Sequence, residues 1–257
     1  MAEMRAKLQA GDAVIGTTLS LPEPLVCQAL GQAGFEFLLI DMEHNPISDY
    51  QLQTMLVSAQ PTSSAILVRV EWKDPVRVKR VLDIGAEGVI FPWVNSREDC
   101  EAAIASVHYP PKGIRGCGPR RATRLHGGLP SYLRWAEELV MALVQIERIE
   151  AVEKLDEILS TPGLDGIMVG PADLAISMGH LHDLANPEVD DVIQRILDGC
   201  RRHGVPFGMF TGTTQKARQW VSRGCQIATI GGDLPFIDSG IAQTHREIRE
   251  ILEARSS

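Results

Sequence analysis

Two short apolar runs of the chain each lead to an acidic residue, in residues 143–147 and 167–173. Short runs rich in Val and Ile that end at Gly, Pro or acidic residues are typical of buried parallel strands. Residues 149–159, between the two runs, carry apolar residues at helical spacing, which predicts one strand–helix–strand unit. Because neighbouring strands lie about 4.8 Å apart, we expect Glu147 and Asp173 to reach one cation.

Such a pair of carboxylates suits a divalent cation, because it leaves coordination positions for water or substrate. Mg²⁺ and Mn²⁺ favour this arrangement, and Co²⁺ is a further candidate. A 2-oxo acid could chelate the cation through its carboxylate and keto oxygens. Gly170, Pro171 and Ala172 open the next helix, and backbone N–H groups around Ala172 and Asp173 could receive that carboxylate. The pattern predicts enolate chemistry with Lewis-acid and electrostatic stabilisation.

Two further polar residues accompany predicted strands. Arg69 lies in the apolar run 67–70, and a guanidinium is rarely buried unpaired, so we expect an anionic partner or ligand beside it. His44 ends the run Asp41-Met42-Glu43-His44 and is expected to move a proton, directly or through a metal-bound water. Taken singly, the histidine could be structural and the two acids could cap helices, but their convergence on one rim favours catalysis. All lysines fall in predicted loops or helices, which disfavours a Schiff-base route.

The elements that would position these residues repeat one pattern along the chain. Eight apolar runs, each followed by a helical pattern, are predicted as strands at residues 13–18, 37–41, 66–70, 88–92, 141–147, 166–170, 206–210 and 226–230. Asp74 and Ser96 are expected to cap the helices that follow. No boundary divides the 257 residues. The pattern predicts a single α/β domain, a (β/α)₈ TIM barrel with its chemistry at the C-terminal ends of the strands.

Two segments fall outside this repeat. Residues 108–139 form a long insertion whose basic residues could be a solvated face, a cover over the site or a contact with another subunit. A last helix over residues 234–254 places Ile241, Ile248 and Leu252 along one side. That side could pack on its own barrel or on a neighbouring subunit.

Composition narrows the function classes. A net charge of −8 argues against a nucleic-acid partner. We find neither a signal peptide nor an apolar run long enough to span a membrane. The five cysteines are odd in number and widely spaced, which indicates reduced thiols and a cytoplasmic location.

Several motifs together resemble the HpcH/HpaI class II aldolases over nearly the whole chain. The matching segments are residues 38–44, the strand that bears Arg69, and residues 109–116, 144–147 and 169–174. This family is a metal-dependent (β/α)₈ group that forms or cleaves 4-hydroxy-2-oxo acids. The resemblance implies a carbon–carbon lyase that joins the enolate of pyruvate or hydroxypyruvate to an aldehyde. It also implies a homo-oligomer, a hexamer in which the final helices are exchanged between subunits.

The resemblance also implies roles for individual residues. Glu147 and Asp173 would be the metal ligands, and Gln145 would point into the same site. Arg69 would stabilise the enolate, and His44 with Asp83 would form the acid–base dyad. Asp83 lies near the end of its helix, at the bottom of the barrel. We therefore expect it to act across a subunit interface if it acts, with Asp41 as the alternative partner of His44. Ala175 and Ile176 depart from the small hydroxyl residue of many relatives, which affects donor contacts rather than the metal.

The sequence constrains the substrate specificity less than it constrains the catalytic residues. Phe210, Trp93, Leu19 and Leu234 are expected to wall the aldehyde end of the pocket, and residues 211–214 could bind hydroxyl groups there. A phosphate could instead bind before the last two helices. An acyl-CoA lyase of the citrate lyase beta or malyl-CoA lyase type is the alternative function, with residues 120–124 as its basic entrance. A barrel without catalysis is a third interpretation, although none of the predicted catalytic set is missing.

Overall fold

A computed structural model of the chain describes residues 1–254. Eight parallel strands pair in chain order and close as β1 meets β8, which confirms the predicted (β/α)₈ barrel. The strands are β1 (Val14–Leu19), β2 (Phe37–Asp41), β3 (Ala65–Arg69), β4 (Gly88–Phe91), β5 (Met141–Ile146), β6 (Gly166–Val169), β7 (Phe207–Gly212) and β8 (Ile227–Gly232).

Thirteen helices connect and flank the strands in the described part of the chain. They are α1 (Ala2–Ala10), α2 (Pro24–Gln32), α3 (Asp49–Ala59), α4 (Pro75–Ile84), α5 (Arg97–Val107), α6 (Arg120–Leu125), α7 (Leu129–Leu139), α8 (Ile149–Glu153), α9 (Leu155–Leu159), α10 (Pro171–Ser177), α11 (Pro187–His203), α12 (Thr214–Arg223) and α13 (Asp233–Ala254). The side chains of Asp74 and Ser96 cap α4 and α5 as predicted, and Ser48 caps α3. The single helix predicted over 149–159 is instead two short ones, separated at Lys154.

Apolar side chains form two buried clusters, one inside the barrel and one between the strands and the surrounding helices. The inner cluster includes Val14, Phe37, Leu39 and Leu67. Along each strand, every second side chain points into the barrel. Helix α1, which the sequence pattern did not predict, adds Met4 and Leu8 to that cluster. It therefore closes the N-terminal end of the barrel.

Three acids make the same kind of hydrogen bond at the N-terminal end of the barrel. Glu36, Glu87 and Asp165 each lie just before a strand, and each accepts a hydrogen bond from the second backbone N–H of the preceding strand, at 2.7–2.8 Å. Asp165 also pairs with Arg5 of α1 at 2.8 Å. The polar contacts at this end are therefore structural, and the opposite rim is left for chemistry.

The insertion at residues 108–139 contains α6 and α7 and packs beside α4. Arg115 is buried there: its Nη2 donates to Asp83 Oδ1 at 2.8 Å and to the Tyr132 hydroxyl at 2.7 Å. Its guanidinium also stacks over the ring of Tyr109, 4.6 Å from the centroid. Because the end of α4 leads back to the N-terminal end of β4, this placement does not support a cover over the chain's own site.

Helix α13 continues from the C-terminal rim and exposes a row of isoleucines. Ile237, Ile241, Ile248 and Ile251 are each at least 42% exposed, and Asp233 is the only residue of the helix in the buried class. The prediction that this helix packs on another subunit remains a prediction. Across residues 1–254, no helix is long and apolar enough to cross a membrane.

Candidate active site

Arg69 ends β3 and lies beside Asp41, its register partner at the end of β2. The guanidinium is buried and makes a bidentate pair with the Asp41 carboxylate, Nε to Oδ1 at 2.9 Å and Nη2 to Oδ2 at 2.8 Å. Its carbon atom Cζ lies 4.9 Å above the ring of Phe210. Burial lowers the pKa of Arg69, but the bonds and charge of Asp41 outweigh it and the net pKa is raised. The anionic partner expected for this arginine is therefore Asp41.

Glu43 is a site residue to which the sequence analysis gave no role. Its side chain is 8% exposed, and its Oε2 lies 3.2 Å from Arg69 Nη1 and 3.5 Å from His44 Nε2. Burial, together with the charges of Glu147, Asp41 and Asp173, raises its pKa to about 7 against the opposing charge of Arg69. Its position one residue before His44 was the available signal.

Glu147 is buried just beyond β5, and both of its carboxylate oxygens accept hydrogen bonds. Oε1 accepts from the backbone N–H of Trp93 at 2.7 Å, and Oε2 accepts from the Gln145 side chain. A Cβ atom at Gly170 would lie 3.2 Å from Glu147 Cβ, so glycine allows the start of α10 to approach this carboxylate. Burial raises the pKa of Glu147, and the two hydrogen bonds oppose it.

Asp173 lies in the first turn of α10, and its charge raises the pKa of the Glu147 carboxyl. The N-cap positions of α8 and α10 are Arg148 and Gly170, and neither makes a side-chain capping bond. The interpretation of these acids as helix caps is therefore not supported. In the same turn Pro171 is half-buried, and Ala172 and Asp173 are exposed.

Gln145 connects the two halves of the site. Its Oε1 accepts from Arg69 Nη1 at 3.3 Å, while its Nε2 donates to Glu147. The side chain is fully buried. Gln145 therefore contacts each of the two charged groups, and its predicted role in substrate binding stays a prediction.

The acid–base partners predicted for His44 lie elsewhere. Asp41 is occupied by Arg69 and by the side-chain amide of Asn45 at 2.8 Å, so the alternative partner is wrong. Asp83 lies in the last turn of α4, paired with Arg115. His44 is 57% exposed and lies beside Glu43. Its role stays a prediction, as does a role for Asp83 across a subunit interface.

The predicted pocket wall is only partly formed by the expected residues. Phe210 lies under Arg69, and Trp93 and Leu234 are 39% and 44% exposed. Leu19 is fully buried in the outer cluster between strands and helices, because the side chains of β1 alternate and Leu19 falls on the outer face. Leu19 is therefore not placed in the pocket. The Thr211 hydroxyl is also buried and donates to the Thr229 carbonyl at 2.6 Å.

Four carboxylates and one buried guanidinium occupy this rim, and their charges bear on whether a divalent cation fits. Asp41, Glu43, Glu147 and Asp173 all act on one another or on Arg69 electrostatically. Two of the carboxyl pKa values are raised, which a dication would reverse. Within residues 1–254 no three His, Cys, Asp or Glu side chains form a metal-ligand group. Glu147 and Asp173 supply two carboxylates of the kind that Mg²⁺ and Mn²⁺ prefer, and their assignment as metal ligands stays a prediction.

Comparisons with known proteins identify the family of this chain. A family model described as HpcH/HpaI aldolase/citrate lyase matches residues 16–237. The 5-keto-4-deoxy-D-glucarate aldolase of Shigella sonnei is 37% identical over 232 residues, covering 90% of this chain and 91% of that protein.

Solved structures give the same result. An HpcH/HpaI aldolase/citrate lyase family protein from Burkholderia cenocepacia superimposes with a TM-score of 0.91 at 33% identity, covering 97% of this chain and 100% of that one. The citrate lyase beta subunit of M. tuberculosis, solved with oxaloacetate and magnesium, has a TM-score of 0.57 at 16% identity, covering 89% and 95%, and shares the fold alone. The family expected from the motifs is confirmed: the chain belongs to the HpcH/HpaI aldolase/citrate lyase family.

Proposed function

We propose that this chain is a divalent-metal-dependent class II aldolase that forms or cleaves 4-hydroxy-2-oxo acids. The observation that carries the proposal is the linked set Arg69, Gln145 and Glu147, which joins a buried cation to a buried carboxylate at one rim of the barrel. Family membership supports the reaction class. The activity is therefore a carbon–carbon lyase reaction.

Glu147 and Asp173 are the residues proposed to hold the metal. A bound Mg²⁺, Mn²⁺ or Co²⁺ would supply Lewis-acid polarisation of the keto group. Two carboxylates suit any of these three ions. Gln145 and the Trp93 amide fix the orientation of the Glu147 carboxylate, which keeps its ligand geometry ready before substrate binds.

Arg69 is proposed to stabilise the negative charge that develops on the keto oxygen. Cleavage removes a proton from the C4 hydroxyl and breaks the C3–C4 bond, and its electron pair moves to the 2-oxo group to give an enolate. Arg69 holds a fixed position through Asp41, so its charge is aimed at that oxygen without reorganisation. The backbone N–H groups of Ala172 and Asp173 are proposed to receive the donor carboxylate.

His44 is proposed to move the proton between the C4 hydroxyl and C3. It is exposed enough to meet substrate, and Glu43 lies beside it and beside Arg69. We propose a role for Asp83 only across a subunit interface. Within its own chain Asp83 pairs with Arg115, so a second copy of the chain would have to bring its Asp83 to His44. The salt bridge to Arg115 would hold the Asp83 carboxylate in place.

The substrates are proposed from the shape of the rim and from the relatives. Pyruvate or hydroxypyruvate is the donor class, and the acceptor is an aldehyde. Phe210, Trp93 and Leu234 are the proposed wall at the aldehyde end. Relatives named 5-keto-4-deoxy-D-glucarate aldolase favour an acceptor derived from a sugar acid.

We also propose a homo-oligomer, a hexamer, in which α13 is exchanged between subunits. The exposed isoleucines of α13 support this proposal, because a row of exposed apolar side chains is costly unless another surface covers it. Ile241→Asp should reduce the oligomer measured by sedimentation, and an unchanged mass would contradict the proposal. A cytoplasmic location is proposed from five free cysteines.

The acyl-CoA lyase alternative gains no support from the site. Its basic entrance would be Arg120 and Arg124, which lie on α6 beside α4 rather than at the C-terminal rim. At 16% identity the citrate lyase beta structure indicates the fold and nothing of the substrate.

The test is an aldehyde panel with pyruvate and hydroxypyruvate as donors, assayed on EDTA-treated protein with Mg²⁺, Mn²⁺ or Co²⁺ added back. We expect aldol product only when a metal is added back. We also expect some aldehydes of the panel to react much faster than others. Product formation that persists in EDTA would overturn the metal-dependent reaction. Acetyl-CoA-dependent turnover in place of aldol addition would favour the alternative.

A further inference from the structure

Trp93 has a backbone conformation that tryptophan rarely adopts. Its φ angle is +56°, and across residues 1–254 it is the only non-glycine residue with positive φ. A bulky side chain in this left-handed region is strained and persists only where the surroundings enforce it. Trp93 lies in the loop after β4, next to Pro92, at the rim that carries the proposed metal ligands.

Two contacts hold the peptide groups on either side of this residue. The N–H of Trp93 donates to Glu147 Oε1 at 2.7 Å, and its carbonyl accepts from Lys73 Nζ at 2.6 Å. The Lys73 side chain is 13% exposed, and its ammonium also pairs with Asp99 Oδ1 at 2.8 Å. Lys73 is therefore a nearly buried cation that donates to the Trp93 carbonyl, in the loop after β4, and to the Asp99 carboxylate, in α5.

The other end of this chain of contacts is firmly anchored. Asp99 lies in the first turn of α5, where its backbone N–H donates to Ser96 Oγ at 3.2 Å. Its Oδ2 accepts from the N–H of Asn95 at 3.0 Å. The loop is thus held at Trp93 and at Asn95, and Lys73 connects both points to the end of β3.

The Trp93 ring is also held, although more loosely. Arg148, the residue after Glu147, places its guanidinium 4.7 Å from the ring centroid. Trp72, the residue before Lys73, lies with its ring centroid 6.0 Å from that of Trp93. These contacts are at the solvent edge, so they add less constraint than the two hydrogen bonds to the backbone.

We propose that Lys73 is a positioning residue for Glu147, acting through the left-handed backbone of Trp93. By holding the Trp93 carbonyl, Lys73 keeps the adjoining N–H aimed at Glu147 Oε1, and Gln145 holds Oε2. The carboxylate then has one orientation rather than several. The inference rests on the proposed function only in that Glu147 is taken to be a metal ligand.

The test measures metal affinity rather than turnover. Lys73→Met removes the ammonium and keeps the length of the side chain, and Lys112→Met is the matched control because Lys112 makes an exposed ion pair with Glu137 on the insertion. Mn²⁺ dissociation constants come from the EPR signal of free Mn²⁺ in metal-free protein. We expect about tenfold weaker binding or more for Lys73→Met, the range for a lost partner of a metal ligand. The Lys112→Met variant should match wild type.

A double-mutant cycle tests the route through Trp93. Trp93→Gly adopts the left-handed conformation without steric cost, so Lys73→Met should weaken Mn²⁺ binding less in that background than in wild type. An equal loss in both backgrounds would overturn the route, and wild-type affinity in Lys73→Met would overturn the inference itself. If Lys73→Met does not fold by circular dichroism, Asp99→Asn releases the same ammonium, and unchanged affinity there would likewise count against it.

Asp173→Asn separates this inference from the proposed function. If wild type binds no Mn²⁺, or Asp173→Asn binds as wild type does, then the proposed metal site is wrong. If wild type binds and Asp173→Asn does not, while Lys73→Met binds normally, then only the role of Lys73 is wrong.

Discussion

Replacing Glu43 by glutamine gives a quantitative prediction for the metal-free protein. The Glu43 carboxyl is 8% exposed and lies between Arg69 and His44. Burial raises its pKa from 4.5 to about 7, with the neighbouring carboxylates adding to the shift. Glutamine has nearly the shape of the protonated acid and does not ionise. The variant therefore removes the cost of ionising a buried group and preserves its volume.

The direction of the pH dependence follows from whether the folded or the unfolded protein holds the Glu43 proton more tightly. Because the folded pKa lies above the unfolded value, the folded protein keeps this proton where the unfolded chain has released it. The wild type therefore loses stability relative to Glu43→Gln as the pH rises from 4.5, and the loss is complete above about 7. At about 1.4 kcal/mol per pH unit, the shift corresponds to about 3 kcal/mol at pH 8 and about 1 kcal/mol at pH 5.

The assay is urea unfolding with EDTA present, followed by circular dichroism at pH 5, 6, 7 and 8. The free energy of unfolding of Glu43→Gln minus that of wild type should increase by about 2 kcal/mol across this range. Glu153→Gln removes an exposed carboxylate on α8 and is the matched control. A difference that stays constant with pH, or that decreases as the pH rises, would refute the argument that burial dominates over the attraction of Arg69.

Three further predictions concern the proposed chemistry. Glu147→Ala and Asp173→Ala should each abolish metal-stimulated aldol turnover, and activity that survives in either variant would remove that residue from the metal site. Arg69→Lys should slow exchange of the donor C3 protons in D₂O by about 100-fold or more, because the enolate loses a fixed donor; NMR measures the exchange, and a wild-type rate would contradict the role of Arg69. His44→Ala should lower kcat by about 100-fold with little change in donor Kd, and an unchanged rate and pH profile would exclude His44 as the proton carrier.

The barrel could be predicted from the sequence because its strands are short apolar runs buried on both faces and its helices carry local start signals. Asp74 and Ser96 are such signals, and both cap helices in the structure. Helix α1 could not be predicted in this way. Its role depends on Met4 and Leu8 meeting the inside of a closed barrel, a surface that exists only after all eight strands have paired.

The residues of the candidate site were easier to predict from the sequence than the contacts between them. An anion beside Arg69 followed from burial alone, but the identity of Asp41 depends on the register between β2 and β3. Leu19 was misplaced because the predicted strand ended one residue early, and side chains on a strand change face at each residue. No residue pattern signals the left-handed backbone of Trp93, since the neighbouring Lys73 and Glu147 come from other strand ends.

The most direct test of the central claim is a crystal structure grown with Mn²⁺ and analysed by anomalous scattering. The account predicts one strong peak at the C-terminal rim, coordinated by carboxylate oxygens of both Glu147 and Asp173. A peak bound elsewhere, or these two side chains too far apart to share one ion, would contradict it.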